Sequence, residues 1–346
     1  MKIIVLGAYG FTGKLVVETL QAQAIDFAVG GRNIEQLKDL ALDNSKIELV
    51  EMTDAKQVKA LVQKYDLFVN CVGPFSETAD LILGQVAQQG KSYLDISGEV
   101  TFVQNSYLKY HHEAVKNQAT IIHACAFESV LANLLGALLV QKIEEIETIN
   151  TYYLLEKAKP SPGTRLTMKL SKFRNSYFLV DGKHQPITTV AQKEMTLETG
   201  ENYIGIPYPL PEICFFEWET TAKNIGSYLL LDAAEAKYMK VPTPQKNETK
   251  EEVMDVFFKR KPKGPNEKQR KNQHFSLLVE ATGKDHFFQK IKINGSDMYG
   301  LTAQIIAYFV TIFKQRLAEK KVGVISPSQF LGEKNDFFEK IFNSKI

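Results

Sequence analysis

The chain has 346 residues, 44% of them hydrophobic and 24% charged, with a formal net charge of +2. That length accommodates two domains with separate cores, and the composition is that of a folded globular protein. The near-neutral balance argues against a general attraction to nucleic acid or acidic membranes. The three cysteines, Cys71, Cys125 and Cys214, are too few and too far apart for a disulfide framework.

The first apolar run, Lys2–Leu6, feeds directly into Gly7-Ala8-Tyr9-Gly10-Phe11-Thr12-Gly13. A helix-like segment to about Ala24 follows, then a second apolar run ending in Gly30-Gly31-Arg32. Strand, glycine turn, helix and strand in this order make a dinucleotide site of the G-x-x-G-x-x-G pattern. Gly7, Gly10 and Gly13 allow a tight turn and a close approach of backbone to a pyrophosphate. Tyr9, Phe11 and Thr12 are expected to supply backbone amides and packing at the helix start. The second strand ends without the acid that bonds an NAD ribose. Arg32 and then Asn33 stand there, and a guanidinium suits a 2′-phosphate, so the expected cofactor is NADP.

Residues 1 to about 125 continue the alternation. Phe27–Gly31, Ile47–Glu51, Leu67–Val72, Ser92–Ile96 and Thr120–Ala124 read as buried strands. Asn33–Leu42, Ala55–Lys64, Thr78–Gln89 and Asn105–Asn117 read as helices. Such alternation means an α/β fold, a Rossmann-type doubly wound parallel sheet whose ligands bind beyond the carboxyl ends of the strands. One such end is Cys71-Val72-Gly73-Pro74, expected to border the nicotinamide ribose. Another is Tyr93-Leu94-Asp95-Ile96-Ser97-Gly98-Glu99, in which Tyr93, Asp95 and Glu99 are candidates for proton transfer or, equally, for capping a helix and holding the loop. A third is His123–Ser129, with Ser129 the expected N-cap of an apolar helix Val130–Val140.

From about Ile146 the pattern changes. Strands are expected at Ile149–Leu155, Ile213–Thr221 and Phe275–Thr282, with an amphipathic helix over Gly163–Phe173. This predicts a second α+β domain on a mostly antiparallel sheet. Gly205–Pro211, with three alternating prolines, reads as an extended connector. The basic stretch Lys259–Pro265, continuing to Lys268, Arg270 and Lys271, is read as a solvated loop, with a docking patch for an anionic or acyl-carrier partner second and nucleic acid last. Tyr299–Lys314 is expected to be a helix that returns to the first domain, with Tyr299 a further proton-donor candidate. The tail pairs Phe337 with Ile341 and Phe338 with Phe342, an amphipathic packing helix or, as the minority reading, a membrane-surface or homodimer helix. The domain division is 1–130 with about 299–346 for NADP, and 131–298 for substrate.

The segments G-A-x-G-F-T-G, N-C-V-G-P-F, Y-L-D-I-S-G-E and A-C-A-F-E-S, in that order, resemble the saccharopine dehydrogenase-like oxidoreductases, a family that includes trans-acting enoyl reductases serving bacterial polyketide synthases. Gly264-Pro265, Phe275–Thr282, Tyr299–Ala303 and Gly323–Pro327 are similar to the family's closing segments. The resemblance covers the first 140 residues strongly, the last 80 moderately and 145–260 loosely. It implies NADP binding and a reductase-like architecture, without specifying lysine metabolism. One departure is Ala126-Phe127-Glu128, where Gly-Phe-Asp is usual.

No metal spacing occurs among the six histidines and three cysteines, and no acyl-serine elbow or P-loop is present. With a strand beginning at residue 2, no secretory signal is expected, and Val130–Val140 and Ile305–Phe313 are too short to span a membrane. The expectation is a cytoplasmic, NADPH-dependent oxidoreductase working between its two domains on a small-molecule or carrier-bound acyl substrate, without nucleic acid. The alternative is a non-catalytic NADP-binding scaffold or redox-sensing module.

Overall fold

The computed structural model describes residues 1–40, 43, 46–198, 200–238, 248–260, 263–315, 321–333 and 335–343. The chain divides into two compact units, 1–127 with 299–346, and 128–298.

The first unit alternates strand and helix: β1 (Ile3–Leu6), α1 (Phe11–Ala22), β2 (Ala28–Gly31), α2 (Ile34–Lys38), β3 (Ile47–Leu49), α3 (Ala55–Lys64), β4 (Leu67–Asn70), α4 (Phe75–Thr78), α5 (Asp80–Gln88), β5 (Ser92–Asp95), α6 (Val100–Lys116) and β6 (Thr120–Ile122). Helix α7 (Phe127–Val140) then carries the chain out of it. β1, β2, β4 and β5 are buried at every position, the pattern of strands covered on both faces. Right-handed crossovers to either side of β1 put α1 on one face and α3, α5 and α6, which pack in a row, on the other.

The second unit is built on an eight-stranded sheet. Its elements are β7 (Ile146–Glu156), α8 (Pro162–Leu170), β8 (Tyr177–Val180), β9 (Lys183–Pro186), β10 (Lys193–Thr196), β11 (Asn202–Pro207), α9 (Glu212–Glu219), β12 (Asn224–Leu231), α10 (Ala233–Tyr238), α11 (Lys250–Lys259), α12 (Glu267–Lys271), β13 (His274–Gly283) and β14 (Phe288–Ser296). The strand order is β10-β11-β12-β7-β13-β14, with β8 and β9 attached to β12. Among these pairings only β12 with β7 is parallel. Helix α13 (Met298–Gln315) brings the chain back, and β15 (Gly323–Ile325) pairs parallel to β6. It completes the seven-stranded order β15-β6-β5-β4-β1-β2-β3. Helices α14 (Pro327–Leu331) and α15 (Phe337–Phe342) end the chain.

Four local expectations are corrected. Ile213–Thr221 is not a strand: Glu212–Glu219 is helix α9, and Glu212 to Phe216 are all buried. A short apolar run cannot be told from a helix buried on all sides by its pattern alone. Here Gly136 of α7 admits the Phe216 ring, since a Cβ on Gly136 would lie 2.2 Å from it. Ser129 is not an N-cap: α7 begins at Phe127, whose amide donates to Thr302 Oγ1 at 3.2 Å. The connector expected over Gly205–Pro211 is half strand. Asn202–Pro207 pairs with both neighbours, and Pro207 is its last residue, where a missing N–H costs one bond at most. The helix expected over Thr78–Gln89 starts two residues later, as α5 (Asp80–Gln88), after a separate short α4 that ends at Thr78. The expected second helix runs on to residues 41 and 42, which lie outside the described residues.

Candidate functional site

The sheet order reverses between β1 and β4, so the loops leaving their carboxyl ends lie side by side. The Cys71 amide donates to Leu6 O at 2.9 Å, and the Gly7 amide to Gly30 O at 3.0 Å. Gly7 has φ +69°, and a Cβ there would stand 3.0 Å from the Cys71 carbonyl. A Cβ on Gly13 would lie 2.2 Å from Gly7 O. Both positions therefore require glycine.

Helix α1 starts at this turn. Its N-cap is Gly10, which offers no side chain, and its first turn carries no acid. The amides of Phe11, Thr12 and Gly13 have no acceptor among the described residues, whereas the next, Lys14, already bonds Gly10 O at 2.9 Å. Open amides at the positive end of a 12-residue helix, beside glycines that leave room for close approach, fit a pyrophosphate. The Tyr9 ring packs where a Cβ on Gly31 would be, 2.6 Å from its edge, and Phe11 meets Tyr299 edge-on at 5.0 Å. Arg32 is exposed and makes no hydrogen bond or ion pair among the described residues. Its neighbour Asn33 caps α2, accepting from the Gln36 amide at 3.1 Å.

The loop after β4 is fixed from several directions. Asn70 Oδ1 accepts from the Val72 amide at 3.0 Å, and Asn70 Nδ2 donates to Tyr93 Oη at 2.9 Å. Thr78 Oγ1 donates to Val72 O at 2.7 Å, and the Gly73–Pro74 peptide is cis. The Glu99 carboxylate accepts from the Phe75 and Ser76 amides at 2.9 and 3.1 Å, so it caps α4. Burial, aided by the charge of Asp95, pushes the Cys71 thiol up to about 12, so it lies in the loop as a neutral group.

The β5 and β6 ends share one buried network. Asp95 Oδ1 accepts from the Ser97 and Ala124 amides at 3.0 and 2.8 Å, and Oδ2 lies 2.6 Å from His123 Nδ1. His123 Nε2 is 2.7 Å from Ser106 Oγ. Burial first, then the Asp95 charge, pushes the Tyr93 phenol well up. Tyr93, Asp95 and Glu99 are thus brought together, but at 0–2% exposure and with their oxygens engaged in holding loops. Tyr299 stands apart from them, partly exposed at the Phe11 ring. Sequence reasoning missed Asn70, Ser106 and His123 as members of this network. Only the fold brings them together, though His123 at a strand end was a signal.

Among the described residues no three His, Cys, Asp or Glu side chains gather as a metal site, and no helix is long and apolar enough to cross a membrane. Residues 3–122 match the family model described as the saccharopine dehydrogenase NADP-binding domain. A protein of Arabidopsis thaliana, described as a probable mitochondrial saccharopine dehydrogenase-like oxidoreductase, is 34% identical over 149 residues, covering 38% of this chain and 33% of that protein. A trans-acting enoyl reductase of Mycobacterium tuberculosis is 31% identical over 140 residues, covering 38% and 34%. Each match spans about a third of the relative's length. Among solved structures, saccharopine dehydrogenase (L-Glu forming) of Saccharomyces cerevisiae shares the fold, with 94% of each chain covered, a TM-score of 0.55 and 13% identity. Residues 3–122 are therefore an NADP-binding domain of the saccharopine dehydrogenase type.

Proposed function

We propose that the protein is an NADPH-dependent oxidoreductase that reduces a C=O, C=N or C=C bond of an acyl-type substrate. The observation that carries this reading is the glycine cradle at the end of β1, where the open first turn of α1 stands beside Arg32, unpaired among the described residues. In this reading Gly7, Gly10 and Gly13 admit the pyrophosphate to the amides of Phe11, Thr12 and Gly13. Arg32 holds the 2′-phosphate, with Tyr9 and Asn33 shaping that end. Cys71, Val72, Gly73 and Pro74 run under the nicotinamide half. When bound, the cofactor supplies the hydride; the chain binds it, orients it and excludes water. The mycobacterial relative's name, an enoyl reductase, supports the acyl class. The three free cysteines fit a reducing, cytoplasmic setting.

A carrier-bound acyl chain is the finer version of this proposal. In the basic stretch Lys259 pairs with Asp255, Lys271 with Glu267 and Arg270 with Asp297. Arg260, Lys263 and Lys268 are left without ion-pair partners among the described residues. Neutralising Lys259, Arg260 and Lys261, the last outside the described residues, should weaken carrier docking; unchanged docking rejects this version. Nucleic acid has no place in the reading. The tail helix is taken as a packing helix: Phe337 is fully buried against Tyr308, and Phe338 meets Phe342 at 6.2 Å. Membrane contact and a homodimer through it are not advanced.

The test is absorbance-monitored NADPH oxidation with a crotonyl thioester, a simple aldehyde and a cyclic imine. Turnover with one of them is expected. If folded protein binds NADPH yet oxidises none of it with any of the three, the scaffold or redox-sensing reading replaces this one. The Ala126-Phe127-Glu128 departure favours that second reading.

A further inference from the structure

The loop after β4 is held by side chains from three separate positions. It begins against the glycine cradle: the Cys71 amide donates to Leu6 O, and the Cys71 carbonyl lies 3.0 Å from where a Gly7 Cβ would stand. Val72 then has both main-chain groups taken by side chains. Its amide donates to Asn70 Oδ1 at 3.0 Å, and its carbonyl accepts from Thr78 Oγ1 at 2.7 Å. The same hydroxyl lies 2.9 Å from Pro74 O.

Glu99 fixes the far side. It stands at the N-cap of α6 yet makes no side-chain cap there. Its carboxylate, on a residue 2% exposed, turns instead to the Phe75 and Ser76 amides. Those amides open α4, which has four residues and whose own N-cap, Pro74, offers no side-chain bond. Burying a carboxylate is costly unless its oxygens are hydrogen-bonded. So short a helix gains little from such a cap by itself, whereas the loop leading into it is fixed by the same two bonds.

The groups left open are few. Gly73 is exposed, and neither its amide nor its carbonyl has a partner among the described residues. One donor and one acceptor suit a carboxamide, which accepts through oxygen and donates through nitrogen.

We propose that Asn70, Thr78 and Glu99 are positioning residues for the cofactor: they hold the loop so that Gly73 presents its amide and carbonyl to the nicotinamide end of a dinucleotide seated on the glycine cradle. This rests on the cofactor placement proposed above. Every residue involved, from Gly7 to Glu99, belongs to the first unit and to the NADP-binding domain. The gain is preorganisation: a loop already fixed loses little freedom when the ligand docks, whereas a freed loop must first be ordered. The three side chains act through the loop, and Glu99 has both carboxylate oxygens engaged by amides. Arg32 and the α1 amides lie outside these contacts, so the adenosine end is bound independently of them.

The test titrates the full chain by calorimetry with NADPH and with adenosine 2′,5′-bisphosphate, which has the adenosine end and no nicotinamide. Thr78→Val keeps the side-chain shape and removes the hydroxyl. It is expected to weaken NADPH binding about three- to tenfold and to change bisphosphate binding by less than about twofold. Thr78→Ser restores the donor and is expected to bind NADPH as the wild type does. Fluorescence of the reduced nicotinamide reports that end directly, and its change on binding should be smaller in Thr78→Val. Should that variant not fold, Glu99→Gln, which keeps one acceptor oxygen of two, is expected to show the same split between the ligands. Equal losses for both ligands, or unchanged NADPH affinity in the variants, overturn the proposal. A folded wild type that binds neither ligand fails the cofactor reading itself, and the positioning role with it.

Discussion

The two units each bury a carboxylate, and they stabilise it in different ways. In the first, Asp95 has two backbone amides and the His123 ring, and His123 is held in turn by Ser106. In the second, Glu212 accepts from the hydroxyls of Ser129, Thr151, Tyr153 and Ser227 and from its own amide, with a second carboxyl, Glu128, close by. Backbone amides cannot leave and do not titrate, so the first arrangement is an anchor. It fixes the β5 and β6 ends, and through Tyr93 and Asn70 it reaches the loop after β4. The second holds an excess of acid, and its charge state changes within an accessible pH range. Burial alone does not decide whether a carboxyl stays charged; what its oxygens accept from does.

The comparison breaks most readily at Asp95. Asp95→Ala leaves His123 and two amides without their acceptor, and is expected to cost about 3–5 kcal/mol in denaturant unfolding. A loss under about 1 kcal/mol would mean the network is incidental. Next comes the pH dependence of the second cluster. Glu128 titrates at about 8 when folded against 4.5 for a free carboxyl, so the folded chain binds that proton more tightly than the unfolded one. Its contribution is fully present below 4.5 and is lost as pH rises through 8. The wild type should lose about 4 kcal/mol on this account between pH 5 and pH 9, and Glu128→Gln should not, as judged by urea midpoints at the two pH values. Arg32→Ala should cost about 1.5–3 kcal/mol of NADPH affinity and little NADH affinity, and equal losses would reject the 2′-phosphate assignment. The smallest effect is expected at Ser106→Ala, about 1 kcal/mol of stability, since one hydrogen bond to His123 is lost and the Asp95 contacts remain.

How much of this was legible depends on how local the signal is. Strand, glycine turn and helix follow one another over residues 3–22, so their pattern is written in contiguous sequence, and Ala55–Lys64 is a helix with the expected ends. Asp54 explains that agreement: its side chain accepts from the Lys56 and Gln57 amides at 2.9 and 3.0 Å. Helix α6 begins at Val100, earlier than the expected Asn105, and no side chain caps its start. Helix α9 was misread because its burial comes from α7, whose Gly136 accommodates Phe216, and nothing near residue 212 announces that partner. The candidate site divides in the same way. The cradle residues were readable as a motif, whereas the Asp95–His123–Ser106 chain and the Glu212 hydroxyls come from elements far apart in sequence.

The most direct test is a calorimetric titration of the full chain with NADPH and NADH side by side. The account predicts tight NADPH binding with a clear preference over NADH, because an open helix N-terminus and a guanidinium unpaired among the described residues flank the glycine cradle. Folded protein that bound neither dinucleotide, or bound both equally, would contradict it.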